Sequence, residues 1–281
     1  TGSATAPAQA EDDGSRIVGG FRAPEGSAPW QIAMFSTTTY TDQEIAKDRA
    51  LPMTDSNKNC LHEKGAWGRT YRCGGALIRP DWVLTAAHCV VKVQGDPLQM
   101  RQLRLGTQDL EHGGTDHTID RIVVHKDYST KTKKHDIALI RIGGGTAMPA
   151  TARPILLLGD RPGDRPLASG QRVSVTGWGR TGVRDAGSGG LARDGSVNLG
   201  SPVLMQVDLK IVSQADCEAV PTYAGFLGAG VICAGSSVPG RDSCNGDSGG
   251  PLTRAQGPEL GPAGRRLVGL VSWGEGCGVA G

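Results

Sequence analysis

The sequence predicts an all-β protein built in two halves. Short runs rich in apolar and β-branched residues recur along the chain, and 43 glycines and 16 prolines punctuate it between them. No stretch carries the sustained 3.6-residue period of a long helix. In chain order, the first group of expected strands is QIAMF (31–35), ALI (76–78), WVLT (82–85), QLRLG (102–106), TIDRIVVH (118–125) and DIALIRI (136–142). A Gly/Pro-rich join near residue 145 follows. The second group is QRVSVTGW (171–178), VLMQVDLKIV (203–212), GVICAG (230–235), PLTRA (251–255) and RRLVGLVSW (265–273). The division is therefore 1–16 as an N-terminal extension, 17–145 as a first β unit and 146–281 as a second. AAHCV (86–90) and QADCEAV (214–220) are long enough only for single helical turns that need tertiary support. Residues 36–72 and 180–201 are polar with little period, and both are expected to be surface loops.

The 281 residues leave ample room for a buried core, and the formal charge of +2 comes from interspersed acids and bases. Without a basic block, neither nucleic acid nor an anionic membrane is an expected partner. No apolar run reaches the roughly 20 residues of a membrane span. The opening tract TGSATAPAQAEDDGSR is small and polar, the kind of segment left after a leader is removed, so export is expected. Seven cysteines without a repeated C-x-x-C spacing point to disulfides in an oxidising compartment, with one cysteine left over.

RDSCNGDSGGP (241–251) places Ser248 between an aspartate and two glycines. A serine hydroxyl is a weak nucleophile at neutral pH and needs a base, a group that orients the base, and donors for an oxyanion. TAAHC supplies His88 at the end of an apolar strand. Asp136, at the head of DIALI, is a carboxylate whose expected partial burial calls for a partner such as an imidazole N–H. His112, His117, His125 and His135 fit no metal-ligand spacing, so no metal site is expected from them. The acids Asp109, Glu111 and Asp116 in LGTQDLEHGGTDH leave calcium open.

RIVGG (16–20), CGGALI (73–78), WVLTAAHC (82–89), HDIALI (135–140), TGWG (176–179), VICAG (231–235), DSCNGDSGGP (242–251) and LVSWGEGCG (270–278) stand in one order across the chain. In these blocks the sequence resembles a trypsin-type serine endopeptidase of the chymotrypsin-like superfamily. The resemblance implies two packed, six-stranded antiparallel Greek-key β-barrels. It implies Ser248 as nucleophile, His88 as general base and acid, Asp136 as the group fixing the imidazole, and the N–H groups of Gly246 and Ser248 as the oxyanion hole. Asp242 would sit at the base of a pocket for Arg or Lys, with Gly274 and Gly276 on its wall, and Ser272, Trp273 and Gly274 would pair with extended substrate. Cleavage between Arg16 and Ile17 would free an amine that inserts beside Asp247, so the uncut chain reads as a zymogen. The implied disulfides are Cys73–Cys89, Cys217–Cys233 and Cys244–Cys277, with Cys60 unassigned. The implied partners are protein substrates with Arg or Lys before the cut bond, together with protein inhibitors, and no cofactor is implied.

Two departures accompany the resemblance. The chain stops at Gly281, before a further pocket-wall strand and a C-terminal helix, so the second barrel is expected to be incomplete. Residues 36–72 replace a much shorter connection on the leaving-group side of the cleft and are expected either to narrow partner choice or to be inert. Two other readings stay open: a non-catalytic binding or regulatory protein of the same fold, and a serine protease of different primary specificity.

Overall fold

The computed structural model describes residues 18–55, 58–91, 95–183, 191–192, 197–228, 230–256 and 261–278. In chain order the first part holds β1 (Phe21–Arg22), β2 (Gln31–Ser36), α1 (Asp42–Ala50), α2 (Ala66–Thr70), β3 (Tyr71–Arg79), β4 (Trp82–Thr85), α3 (His88–Val91), α4 (Pro97–Met100), β5 (Arg101–Leu105), β6 (Thr115–His117), β7 (Ile119–Val124) and β8 (Ala138–Ile142). The second part holds β9 (Leu156–Leu157), β10 (Arg172–Gly177), β11 (Met205–Val212), α5 (Gln214–Glu218), β12 (Cys233–Gly235), β13 (Pro251–Ala255), a 3₁₀ turn (Pro262–Gly264) and β14 (Arg265–Leu270).

These strands form two curled, predominantly antiparallel sheets. One runs β6-β5-β2-β3-β4-β8-β7; the other runs β1-β11-β10-β13-β14-β9, with β12 also on β11. Each counts seven strands rather than the six expected. In the first, residue 118 separates β6 from β7. In the second, the two-residue strands β1 and β9 extend the edges, β9 running parallel to β14.

Local pattern explains the elements. β2 is buried at every position, with residues 32–35 apolar, because β3 and β5 flank it and both of its faces are covered. β11 alternates buried and more exposed positions, as expected of a strand with one solvated face. Each sheet has its own core. Ile32, Met34, Leu77, Leu103 and Ile140 centre the first, and Val175, Met205, Val207 and Leu252 the second. The halves are tied together by Thr176 Oγ1 donating to Gln31 Oε1 at 2.7 Å and by β1 pairing with Met205 and Gln206 across the chain.

Of the two expected surface loops, 36–72 is corrected by the structure, which places two helices in it, whereas the described part of 180–201 holds no helix or strand. Within 36–72, Thr41 and Glu44 form a reciprocal cap that starts α1. Lys58 Nζ ends that helix by donating to the carbonyls of Asp48, Arg49 and Leu51 at 2.7, 2.9 and 3.0 Å. The Asp48 carboxylate accepts the N–H groups of Asn59 and Leu61. Trp67 of α2 packs on the first core, and the Arg72 guanidinium lies over the Tyr40 ring. The insertion is thus organised around buried charge and capping, and α1, DQEIAKDRA, has no apolar stripe to announce it. In 180–201, Arg180 bridges to Gly200 and Leu191 to Val197. The buried Asn198 side chain binds both the N–H and the carbonyl of Gly182. Those paired backbone groups make the described part of the segment packed structure.

Candidate active site

β4 delivers the histidine. Its last residue, Thr85, is buried and donates to the Gly74 carbonyl at 2.8 Å, and Ala86 and Ala87 follow with no exposed surface. Small residues belong here because the 246–250 loop packs against them: a Cβ on Gly249 would come within 2.2 Å of Thr85 Oγ1. His88 then opens the short helix α3. Asp136, just before β8, grips His88 twice. Oδ1 accepts the His88 backbone N–H at 2.8 Å, and Oδ2 lies 2.7 Å from Nδ1, placing the proton of the neutral ring on Nδ1. Ser272 Oγ donates to the same Oδ2 at 2.5 Å. Burial acts to raise the Asp136 carboxyl, but the His88 ring, the Ser272 hydroxyl and the His88 N–H together hold it below the usual carboxylate range. The pair is well enclosed, with side-chain exposures of 19% for His88 and 3% for Asp136.

The serine loop is clamped by main chain. The Ser248 carbonyl accepts from Gly74 N at 2.8 Å, Gly250 N donates to Asp247 O, and Gly249 N donates to Val271 O. Gly246 has φ +104°, a conformation that glycine adopts without strain. Among the described residues the Ser248 hydroxyl makes no hydrogen bond to His88 Nε2. That nitrogen lies 3.8 Å from Cys89 Sγ of the adjacent disulfide.

Behind the loop, the Asp247 carboxylate is fully buried and accepts N–H groups from Gly179 at 2.9 Å and Cys244 at 2.8 Å. Burial pushes its pKa up to about 7, over the lowering effect of those two donors. Gly177 and Gly179 are required beside it, since a Cβ on either would approach the carboxylate to 2.1 or 2.6 Å. Val18 is buried against the Cys244–Cys277 disulfide, and its carbonyl accepts Asp242 N at 3.1 Å. Arg16 and Ile17 lie outside the described residues.

Asp242 accepts N–H groups from Ser243 at 2.8 Å and Gly278 at 3.2 Å, and burial raises its carboxyl. Trp273 meets Tyr223 and Phe226 edge-on, with ring centroids at 5.4 and 6.4 Å. A Cβ on Gly274 would meet nothing within 4 Å, so the chain's own packing does not demand glycine there; Gly276 has φ +67°. The cysteines pair Cys73–Cys89, Cys217–Cys233 and Cys244–Cys277, and Cys60 is a buried thiol. Of the acids weighed for calcium, Asp116 is taken by Arg104 through two hydrogen bonds. Asp109, Glu111 and His112 bring ligand atoms within 4.8 Å of one another.

Sequence reasoning missed Tyr71, whose hydroxyl donates to the Gly246 carbonyl at 2.8 Å and which ties the insertion's end to the serine loop. It also missed the Gly179 donor and the aromatic wall of Tyr223 and Phe226. The TGWG block contained Gly179, yet nothing local marked its N–H as a carboxylate ligand.

Comparison with known proteins gives a consistent picture. The Trypsin family model matches residues 56–281. The chain is 32% identical over 267 residues to mouse vitamin K-dependent protein C, covering 94% of this chain and 47% of that protein. It is 32% identical over 277 residues to serine proteinase stubble of Drosophila melanogaster, covering 95% and 29%. To serine protease 1 of Rattus norvegicus it is 30% identical over 275 residues, covering 95% and 83%. The chain thus spans less than half the length of the first two relatives and most of the third.

Proposed function

The chain belongs to the trypsin family of serine endopeptidases, and on that premise we propose that it hydrolyses protein substrates after Arg or Lys, as an exported enzyme activated by cleavage between Arg16 and Ile17. Ser248 Oγ adds to the scissile carbonyl carbon and gives its proton to His88 Nε2. The carbonyl oxygen becomes an oxyanion facing the N–H groups of Gly246 and Ser248. Collapse breaks the C–N bond, and the leaving amine takes the proton from His88. Water then adds to the acyl-enzyme by the same route, releasing the acid and restoring Ser248.

The observation that carries this reading is the two-point hold of Asp136 on His88. It leaves Nε2 as the ring's basic nitrogen and keeps a carboxylate ionised beside the imidazolium that proton transfer creates. Asp242 supports the preference for Arg or Lys, because a half-buried carboxylate held, among the described residues, by two backbone N–H groups and no cation favours a cationic guest. Asp247 supports the activation step. A buried carboxylate without a cation is costly, and an ammonium at Ile17, one residue before the buried Val18, would complete it. Since Arg16 is the residue type that Asp242 selects, one active copy would activate another.

The test is fluorophosphonate labelling after cleavage at Arg16, followed by rates on Arg, Phe and Ala esters. Labelling at Ser248 with the Arg ester preferred is the expected result. No labelling of correctly cleaved chain would refute catalysis, and equal rates on the three esters would refute the specificity.

A further inference from the structure

We propose that Asn245 is a site of spontaneous conversion to aspartate and isoaspartate, and that this conversion switches the enzyme off by displacing the Gly246 N–H. The modification stands apart from the proposed activity, while its consequence rests on the reading of Gly246 as an oxyanion donor.

Of the chain's four asparagines, Asn57, Asn59, Asn198 and Asn245, only the last precedes a glycine. The amide carbon of an asparagine side chain can be attacked by the main-chain nitrogen of the next residue. A side chain on that residue crowds the approach, and glycine has none. Gly246 cannot be exchanged, since it has φ +104° and a Cβ there would stand 2.9 Å from Gly179 Cα. The pair forms the corner of a turn closed by Asp247 N donating to the Cys244 carbonyl at 2.9 Å, with Asn245 exposed.

Both reacting groups are free. Among the described residues, neither the Asn245 side-chain amide nor the Gly246 N–H makes a hydrogen bond. An oxyanion donor has to be left unpaired until charge develops in front of it, and the same freedom leaves its nitrogen able to react. The carbonyl of the reacting peptide accepts Arg180 N at 2.9 Å, which draws electron density from the amide and eases loss of its proton. Asn198 is the internal contrast: it is buried, its side chain binds both the N–H and the carbonyl of Gly182, and Leu199 follows it.

In the reaction, hydroxide takes the Gly246 N–H proton, the nitrogen bonds to Asn245 Cγ, and the Cγ–Nδ2 bond breaks, releasing ammonia and leaving a succinimide ring. Water then opens the ring. Breaking the new N–Cγ bond leaves aspartate, whereas breaking the bond from nitrogen to the main-chain carbonyl carbon leaves isoaspartate; neither step is a redox step. In isoaspartate the chain runs through Cβ and Cγ and is one methylene longer, and the carbonyl that Arg180 N held becomes a free carboxylate. The Gly246 N–H is carried out of place. In aspartate a carboxylate stands beside the donor and opposes the oxyanion. Loss of one such donor costs about 100- to 1,000-fold in kcat.

The test incubates the uncleaved full chain at mildly alkaline pH, folded and in urea, and compares the digested peptides that span 245 and 198 by mass spectrometry. Aspartate and isoaspartate should accumulate at 245 in the folded chain, faster as hydroxide rises, with Asn198 unchanged. Conversion at 245 in urea but not in the folded chain overturns the proposal. The incubated chain is then cleaved at Arg16 and its rate on an Arg ester measured. Activity should fall in proportion to the converted fraction, fully converted chain retaining about 1% or less. Asn245→Gln, whose longer side chain closes a ring far more slowly, should neither convert nor lose activity over the same interval. Full activity in converted chain, or equal loss in the Asn245→Gln chain, overturns the inference. Conversion at 245 as expected, with cleaved chain inactive even before incubation, counts against the proposed function alone.

Discussion

Replacing Asp247 with Asn keeps the shape of a buried carboxylate and removes its charge, in a place where, among the described residues, no cation pairs with it. The pKa of about 7, against an ordinary 3.8, corresponds at about 1.4 kcal/mol per pH unit to about 4 kcal/mol of stability. The folded chain holds this proton more tightly than the unfolded chain, so the contribution is complete below about pH 4 and is lost as pH rises through 7. Asn escapes that loss. Its amide oxygen can accept only one of the Gly179 and Cys244 N–H groups comfortably, while its NH₂ faces the other, at a cost of about 1–3 kcal/mol. In uncleaved chains carrying Ser248→Ala, urea unfolding should therefore find the Asn protein less stable near pH 4. The difference should close and reverse by about 1–3 kcal/mol at pH 8. Cleavage at Arg16 should then stabilise the parent at pH 8 and leave the Asn protein unchanged, because only the parent offers the new ammonium a counter-charge. Parallel pH profiles for the two uncleaved proteins would refute the argument that Asp247 is buried without compensation.

Ser272→Ala removes the hydroxyl that donates to Asp136 Oδ2, and loss of one charge-assisted bond of about 1.5 kcal/mol or more predicts at least a roughly 10-fold fall in kcat/KM on an Arg ester; a change under twofold would contradict it. Lys58→Met strips the cation from three helix-terminal carbonyls and should cost the insertion about 3 kcal/mol, visible as faster amide exchange across 42–61 with strands β2 and β3 still protected. Burial, then Arg180 and Arg72, lower the Lys64 ammonium to about 8, so acylation at pH 8 should modify Lys64 about 10-fold faster than the exposed Lys47, as read by peptide mass spectrometry. Equal labelling of the two would remove the argument.

The strands were legible because a strand's signal is local. WVLT and PLTRA coincide with β4 and β13 to the residue, and VLMQVDLKIV overshoots β11 only at its start. The insertion was illegible for the opposite reason. Its helix is held by a cap, a buried lysine and a buried aspartate, none of which writes an apolar period into the sequence.

At the candidate site the residue types and their order were readable from short blocks, because nucleophile, base and carboxylate each need a particular functional group whatever the surroundings. What those groups touch was decided in three dimensions. Asp136 meets His88 across 48 positions, Asp247 meets Gly179 across 68, Ser272 meets Asp136 across 136, and Tyr71 meets Gly246 across 175. The sequence alone determined the all-β architecture, the family and which residues stand as candidates at the site, since periodicity and functional-group identity are properties of neighbours along the chain. The buried state of Asp247 and the aromatic wall at Trp273 depended on the tertiary structure, because desolvation and side-chain proximity arise only when distant segments pack together.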